Sequence, residues 1–138
     1  MAVYNKFYPF VEAIAEKKHN LGSDALMVML SNTAPAQTNA VKADIVEIAA
    51  GGGYSAGGSA ATISSSVQTG GIYKLVLADV VFTSSGTIGP FRYAILYNSS
   101  APAQELISFW DYGSALTLNS GETFTVDFDA TTGVLTIT

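Results

Sequence analysis

The chain has no cysteine in its 138 residues. A disulfide framework, a thiolate nucleophile and a Cys-based metal site are thereby excluded, and the redox compartment leaves no trace. Charge is also scarce. Charged residues make up 12% of the sequence, against ~25% in an ordinary soluble domain. Binding to a phosphate backbone depends on clustered cations. Here Lys and Arg total six, scattered along a chain of net charge −5, so DNA and RNA are not expected as direct ligands. Long apolar runs are missing too. The chain is 49% hydrophobic with a mean hydropathy of +0.33, but its apolar stretches are broken by Thr, Ser, Gly and Asp. None approaches the ~18 residues a spanning helix requires, so no membrane partner is expected. Met1 to Lys6 contains no apolar core of a secretory signal, so the protein is expected to be made in the cytoplasm.

What is present is enough apolar material for one core. A chain of this length buries roughly two thirds of its unfolded surface as a single domain. With so little charge, solubility must come from Ser, Thr, Asn and Gln, or part of the surface must be covered by other subunits. Subunit interfaces are poor in charge and rich in aromatics. Seven Phe and seven Tyr in so weakly charged a chain therefore favour an assembling subunit.

One helix is expected, from Tyr8 to His19. Pro9 suits a first turn, and Phe7, Phe10, Val11 and Ile14 recur at helical spacing. Glu12 and Glu16 precede Lys17, Lys18 and His19 in the order that suits the helix dipole, and Gly22 is a plausible stop. The division is an arm and helix over residues 1–22 and a β-domain over 23–138. From Ala25 onward the pattern becomes short β-branched and aromatic runs separated by Gly, Asn, Ser and Pro, as in an antiparallel β-sandwich or barrel. Seven or eight strands are expected, at Leu26–Ser31, Thr62–Gln68, Ile72–Leu77, Val80–Thr83, Phe91–Tyr97, Leu106–Asp111, Glu122–Asp129 and Val134–Ile137. Asp44–Ile48 is ambiguous. Phe124, Val126 and Phe128 alternate with Thr125 and Asp127, giving that strand one buried face. The turn Ala130–Gly133 suggests that the last two strands form a hairpin. The segments Asn32–Gln37 and Ser99–Gln104 echo one another in turn chemistry.

Ala49–Ala61 holds five glycines around Tyr54 and Ser55 with little bulk. It is expected to be a mobile loop that a neighbour orders on binding. Gly53-Tyr54-Ser55-Ala56-Gly57 fits the nucleophile-elbow pattern, but the single histidine, His19, precedes Ser55, whereas the hydrolase order requires it afterwards. The spacing from Gly52 also begins like a phosphate loop, but the required lysine is missing. Asp127 and Asp129 share a parity with Asp111 nearby, a pattern that suits solvated outward carboxylates better than an acid pair or a calcium site. His19 reads as a dipole partner or surface residue. Arg92, inside an apolar strand, calls for an acid, either Asp111 or Asp79. Trp110 and Tyr112 form the most aromatic strand end, suited to a core edge or to a protein or sugar contact. No enzyme activity, cofactor or metal is implied by these residues.

Asn32-Thr33-Ala34-Pro35, the glycine loop, Gly89 to Asn98 and Trp110-Asp111-Tyr112-Gly113 together resemble small virion proteins of tailed bacteriophages. The resemblance spans Phe7 to Thr138 and rests on turns and strands. It implies a structural role in the virion, most similar to a capsid decoration, or cement, protein bound to the major capsid protein. It also implies a homo-oligomer, with a trimer favoured. A tail-tube, adaptor or fibre component with a carbohydrate surface built from Trp110, Tyr112 and Tyr54 is the alternative. The contact residues expected on this basis are Phe7, Phe10, Gly52, Gly53, Tyr54, Arg92, Trp110 and Tyr112.

Overall fold

The computed structural model describes residues 2–138 and is mainly β, with 47% of residues in strands and 7% helical. All strand pairing is antiparallel. The strands are β1 (Val3–Lys6), β2 (Leu26–Ser31), β3 (Ser59–Ala61), β4 (Ile63–Thr69), β5 (Ile72–Leu77), β6 (Val80–Thr83), β7 (Ile88–Asn98), β8 (Leu106–Leu118), β9 (Thr123–Val126) and β10 (Leu135–Ile137), with one helix, α1 (Pro9–Ala15). They form a five-stranded sheet in the order β1-β8-β7-β2-β3, a three-stranded sheet β10-β5-β4 and a two-stranded sheet β6-β9. The expected sandwich-like β architecture with a short N-terminal helix is observed. Among the described residues no helix is long and apolar enough to cross a membrane.

The apolar run of β7 is explained by its position. From Tyr93 to Asn98 every residue is buried, so both faces of the five-stranded sheet are covered. On one face Val28, Leu30, Ala94 and Leu96 meet Leu75 and Leu77 of β5 and Phe82 of β6 in the main core. On the other face Phe7, Met29, Ile95, Tyr97 and Phe109 form a second cluster, against which Ile45 packs. Ile45 comes from the long connection after β2, which is tied down by a bond from the Ile48 N–H to the Leu30 carbonyl and from Ser31 Oγ to the Val46 carbonyl. The ambiguous Asp44–Ile48 segment is thus no strand. A short 3-10 turn, Lys42–Asp44, opens it, and the remainder runs as covering loop.

Three sequence expectations are corrected. The helix ends at Ala15 rather than His19, because Lys17 takes a left-handed φ of 65° and the Lys18 N–H returns to the Ala13 carbonyl at 2.9 Å. This is a Schellman-type stop, which a lysine at this position does not announce. The N-terminal arm, where no strand was expected, adds one to the five-stranded sheet. Val3–Lys6 forms β1 and pairs with Asp111–Ser108 at the sheet edge. Finally, the last two strands do not form a hairpin: β9 pairs with β6 and β10 with β5. Asp129 caps the intervening turn through the N–H groups of Thr131 and Thr132, and the Val134 N–H then bonds the Leu75 carbonyl at 2.7 Å. A Cβ on Gly133 would lie 2.6 Å from that same carbonyl, so the glycine lets the chain pass close to β5 and change sheets. The echoing turns follow β2 and β7, which are antiparallel neighbours, and so lie at opposite ends of the sheet.

Candidate contact surface

The glycine loop is part of the domain. Tyr54 is only 3% exposed and packs on Phe82. Its hydroxyl accepts the Leu30 N–H at 3.0 Å and donates to Glu47 Oε2 at 2.6 Å. Burial and the adjoining Glu47 carboxylate push its ionisation far above the ordinary tyrosine range. Glu47 also accepts the Gly57 N–H, and Tyr97 donates its hydroxyl to the Gly57 carbonyl. The expected mobile loop is therefore already ordered within the domain. Its glycines serve close packing: a Cβ on Gly52 would overlap the Thr87 carbonyl, and one on Gly58 the Val28 carbonyl. Gly53 lies beside Thr83 in the same loop.

The other expected contact residues divide between core and surface. Phe7 and Phe10 are buried, the first in the second cluster and the second in the main core, so neither presents a docking face. Arg92 is paired through Nε and one Nη to the two carboxylate oxygens of Asp111 at 2.8 and 3.2 Å and lies over the Tyr93 ring. Of the two acids considered, Asp111 is the partner; Asp79 accepts the Phe128 N–H instead. Arg92 and the Gly113 N–H hold Asp111 below the usual carboxylate range. Trp110 and Tyr112 are half-buried and meet Phe128 and Phe124 edge-on. Burial, with the Asp127 charge adding to it, pushes the Tyr112 hydroxyl up to about 12. With Tyr54 buried, the expected sugar-stacking trio of Trp110, Tyr112 and Tyr54 does not form one platform.

The motifs that imitate chemistry have structural roles. Ser55 is exposed in the loop ahead of a strand, with no helix after it. Asp127 and Asp129 are exposed, and backbone donors at Thr131 and Thr132 hold Asp129 below its ordinary range. Among the described residues no group of three or more His, Cys, Asp or Glu side chains is placed to hold a metal ion. His19 departs from expectation, being buried rather than at the surface. Asn98 Oδ1 accepts the Ser100 N–H, which fixes the amide so that Nδ2 donates to Asp24 Oδ2 at 2.6 Å and faces His19 Nδ1 at 3.0 Å. Nδ1 therefore accepts, and the imidazole carries its proton on Nε2. Neither that Nε2 nor Glu105 Oε2 has a hydrogen-bond partner. Burial holds His19 below its ordinary pKa, opposed by the charges of Glu105 and Asp24.

The open side of the molecule lies where β1 and β10, the edges of two different sheets, approach α1. A cavity of about 330 Å³ is lined by Tyr4, Trp110, Asp127 and Asp129. A second, of about 420 Å³, shares Tyr4 and continues over Val11, Ile14 and Ile137. A third, of about 460 Å³, shares Ile14 and Ile137 and reaches Lys17 and Tyr73. The shared residues make these one seam. Val3, Tyr4, Val11 and Ile137, all on the strands and helix that border it, are between 41% and 59% exposed. Of the residues expected from sequence, the seam contains Trp110 and, in its wall, the largely buried Phe10. Val11 belongs to the apolar helical stripe read from the sequence, whereas Tyr4 and Ile137 were missed because β1 is too short to show an alternation and because β10 was expected to pair with β9. Comparison with known proteins finds no matching family model, no similar curated protein and no matching solved structure.

Proposed function

We propose that this chain is a non-enzymatic structural subunit of a tailed-phage particle, most similar to a capsid decoration protein that binds and stabilises the major capsid shell. The observation that carries the reading is the seam: adjoining cavities, apolar over Val11, Ile14 and Ile137 and acidic at Asp127 and Asp129, beside the outer edges of two sheets. Isolated exposed apolar side chains are ordinary, but a connected row along open strand edges is the form of a protein contact. The turn and strand resemblance to virion proteins supplies the particle, and the sparse charge suits a surface covered by neighbours. Each contact need bury only ~800 Å² per partner, because simultaneous contacts on neighbouring subunits raise the effective concentration and slow release. The rest of the sandwich acts as a rigid platform for these contacts.

The test is co-sedimentation of purified protein with phage capsids that lack decoration, alongside isolated tails. Binding to capsids and a higher temperature of DNA release are expected. Val11→Asp, an exposed change on the surface of α1, should weaken that binding on the order of tenfold or more while leaving the circular dichroism unchanged. Binding to tails alone would move the protein to the tube, adaptor or fibre. Binding to a glycan array, abolished by Trp110→Ala, would establish the carbohydrate alternative in its place.

A further inference from the structure

A further edge stands clear of the seam. β4 is the outer strand of the three-stranded sheet and pairs only with β5. The two are joined through Gly70 and Gly71, whose φ angles of 60° and 83° suit the two-residue hairpin turn that matches strand twist. In such a hairpin Thr69 and Ile72 exchange hydrogen bonds, and by alternation so do Val67 and Lys74. The N–H and carbonyl groups of Ser66 and Gln68 therefore point away from β5. Among the described residues none of those backbone groups has a hydrogen-bond partner. At β1, by contrast, the Gln37 side chain already caps the Lys6 carbonyl. The Ser66 and Tyr73 side chains, bonded at 2.7 Å, brace the β4-β5 hairpin from its other face. Val67 and Ile72 share the outer face and are 55% and 47% exposed. No charged residue occurs between Glu47 and Lys74, and the Lys74 ammonium donates to the Thr131 carbonyl at 2.9 Å. Edge strands are ordinarily blunted by a lysine, a proline, a bulge or a cover. The bulge in β4 precedes Ser65, and from there to Thr69 the strand carries none of these devices.

We infer that β4 joins two copies of the chain, pairing antiparallel with β4 of a second copy about a two-fold axis beside Val67 and extending the three-stranded sheet to six strands. The contact is separate from the seam and does not rest on the virion reading. Opposed residues must direct their backbone groups the same way, so the axis passes beside a residue and not between two. With the axis at Val67, Ser66 meets Gln68 of the second copy in a hydrogen-bonded pair on either side, and the two Val67 side chains meet each other. Ile72 extends that contact into a diagonal apolar row across both hairpins. Thr69 faces Ser65, a cross-strand pair that adds its own hydrogen bond. An axis beside Ser66 would instead set Val67 against Ser65 and leave both valines without an apolar neighbour across the join. Charge selects a second copy as the occupant. Each chain carries a net −5, so two copies can approach closely only through a surface free of charge, and this edge supplies one. Such a contact is isologous and closes at two subunits, whereas the resemblance to decoration proteins implies three.

The absence of cysteine makes the test clean. Cα atoms of a directly opposed pair that exchanges no hydrogen bonds lie ~4.5 Å apart, within the range a disulfide spans. Val67 is exposed, so Val67→Cys leaves the core intact, and Val46→Cys, 62% exposed in the covering loop after β2, is the control. Under mild oxidation the Val67→Cys protein should run largely as a covalent dimer and the Val46→Cys protein as a monomer. Sedimentation of the unmodified chain should show a reversible dimer. Val67→Lys and Val67→Glu, which set like charges together at the axis, should each weaken it on the order of tenfold or more. An equal mixture of those two variants should dimerise again, a recovery that misfolding could not produce. Cross-linking at Val67 no faster than at Val46, no recovery on mixing, or a strict monomer at hundreds of micromolar would overturn the inference. So would a monomer whose binding to capsids is abolished by Val67→Lys, since the edge would then belong to a capsid strand.

Discussion

The five-stranded sheet ends in two short strands, β3 and β1, that are finished in opposite ways. Beside β3 the glycine loop closes down: Gly58 lies against the Val28 backbone, Tyr54 fills the core, and Glu47 gathers the Tyr54 hydroxyl and the Gly57 N–H. Beside β1 only Gln37 reaches in, its side-chain amide donating to the Lys6 carbonyl and its carbonyl accepting the Tyr8 N–H, and Val3 and Tyr4 stand exposed. A sheet edge is a template for further pairing unless it is covered or blunted. One edge is therefore closed by the chain itself and the other left partly open. Substitutions on the two sides should separate stability from binding cleanly.

The largest effect is expected on the closed side. Gly58→Ala places a Cβ on the Val28 carbonyl at a residue whose φ is +85°. Steric overlap with backbone adds to the strain of a left-handed alanine, for a loss of about 3 kcal/mol in urea unfolding. Gly70, with a similar φ of +60° but nothing within 4 Å of an added Cβ, supplies the comparison. Gly70→Ala should cost only about 1 kcal/mol, the conformational part alone. Equal losses at the two positions would mean that the glycine loop is not packed against β2.

Tyr54→Phe comes next. It removes the acceptor of the Leu30 N–H and the donor to Glu47 while leaving the ring in place. A buried amide left unsatisfied costs about 1–3 kcal/mol. Chemical denaturation should show that loss with capsid binding by the folded protein unchanged, the reverse of Val11→Asp on the open side. Hydrogen exchange on the free protein gives the same contrast without mutation. Amides of Gly51–Gly58 should be protected near the level of the β2 core, and β1 should exchange faster until it is assembled.

The sequence disclosed those features that depend on local pattern. The antiparallel β class, the strands of the two large sheets apart from β1 and β3, the inward face of Phe124, Val126 and Phe128, and the need of Arg92 for an acid all follow from side-chain type and period. Features set by distant partners were hidden. A run of glycines looks like chain entropy unless the carbonyls of Val28 and Thr87 are known to sit against it. The four residues of β1 have meaning only opposite Trp110 and Asp111. His19 follows two lysines, so its environment is invisible until Asn98 and Glu105, some eighty residues away, are brought beside it.

His19 marks the border between the two regimes, since it lies behind α1 at one end of the seam. Burial lowers its pKa in the folded chain. The unfolded chain then takes up the proton first, so stability is fully present above the unfolded value of about 6.5 and declines as pH falls from there toward the lower folded value. Asp44, Asp111 and Asp129, held below their ordinary range, begin to cost stability only as pH falls below about 4. Two separate acid-sensitive windows are expected in a stability profile. His19→Gln should flatten the upper one and leave the lower one in place. A profile of His19→Gln identical to that of the unmodified chain between pH 6.5 and about 5 would show that the imidazole is not held neutral by its burial.

The smallest effect should come from the most conspicuous ion pair. Arg92 and Asp111 meet in a bidentate arrangement at the strand that β1 also uses, but their side chains are 39% and 28% exposed. Solvent at that exposure screens the attraction, and exposed pairs commonly contribute ~0–1 kcal/mol. Arg92→Met keeps most of the apolar stem over Tyr93 and removes the charge. Its stability should fall only slightly, with most of that difference gone in molar salt. Asp111 lies opposite Val3, so a charge unbalanced there sits directly beside the exposed start of β1. If capsid binding changes more than stability in this variant, the pair serves the open edge; if stability falls markedly and binding is untouched, the pair belongs to the closed, packed part of the molecule.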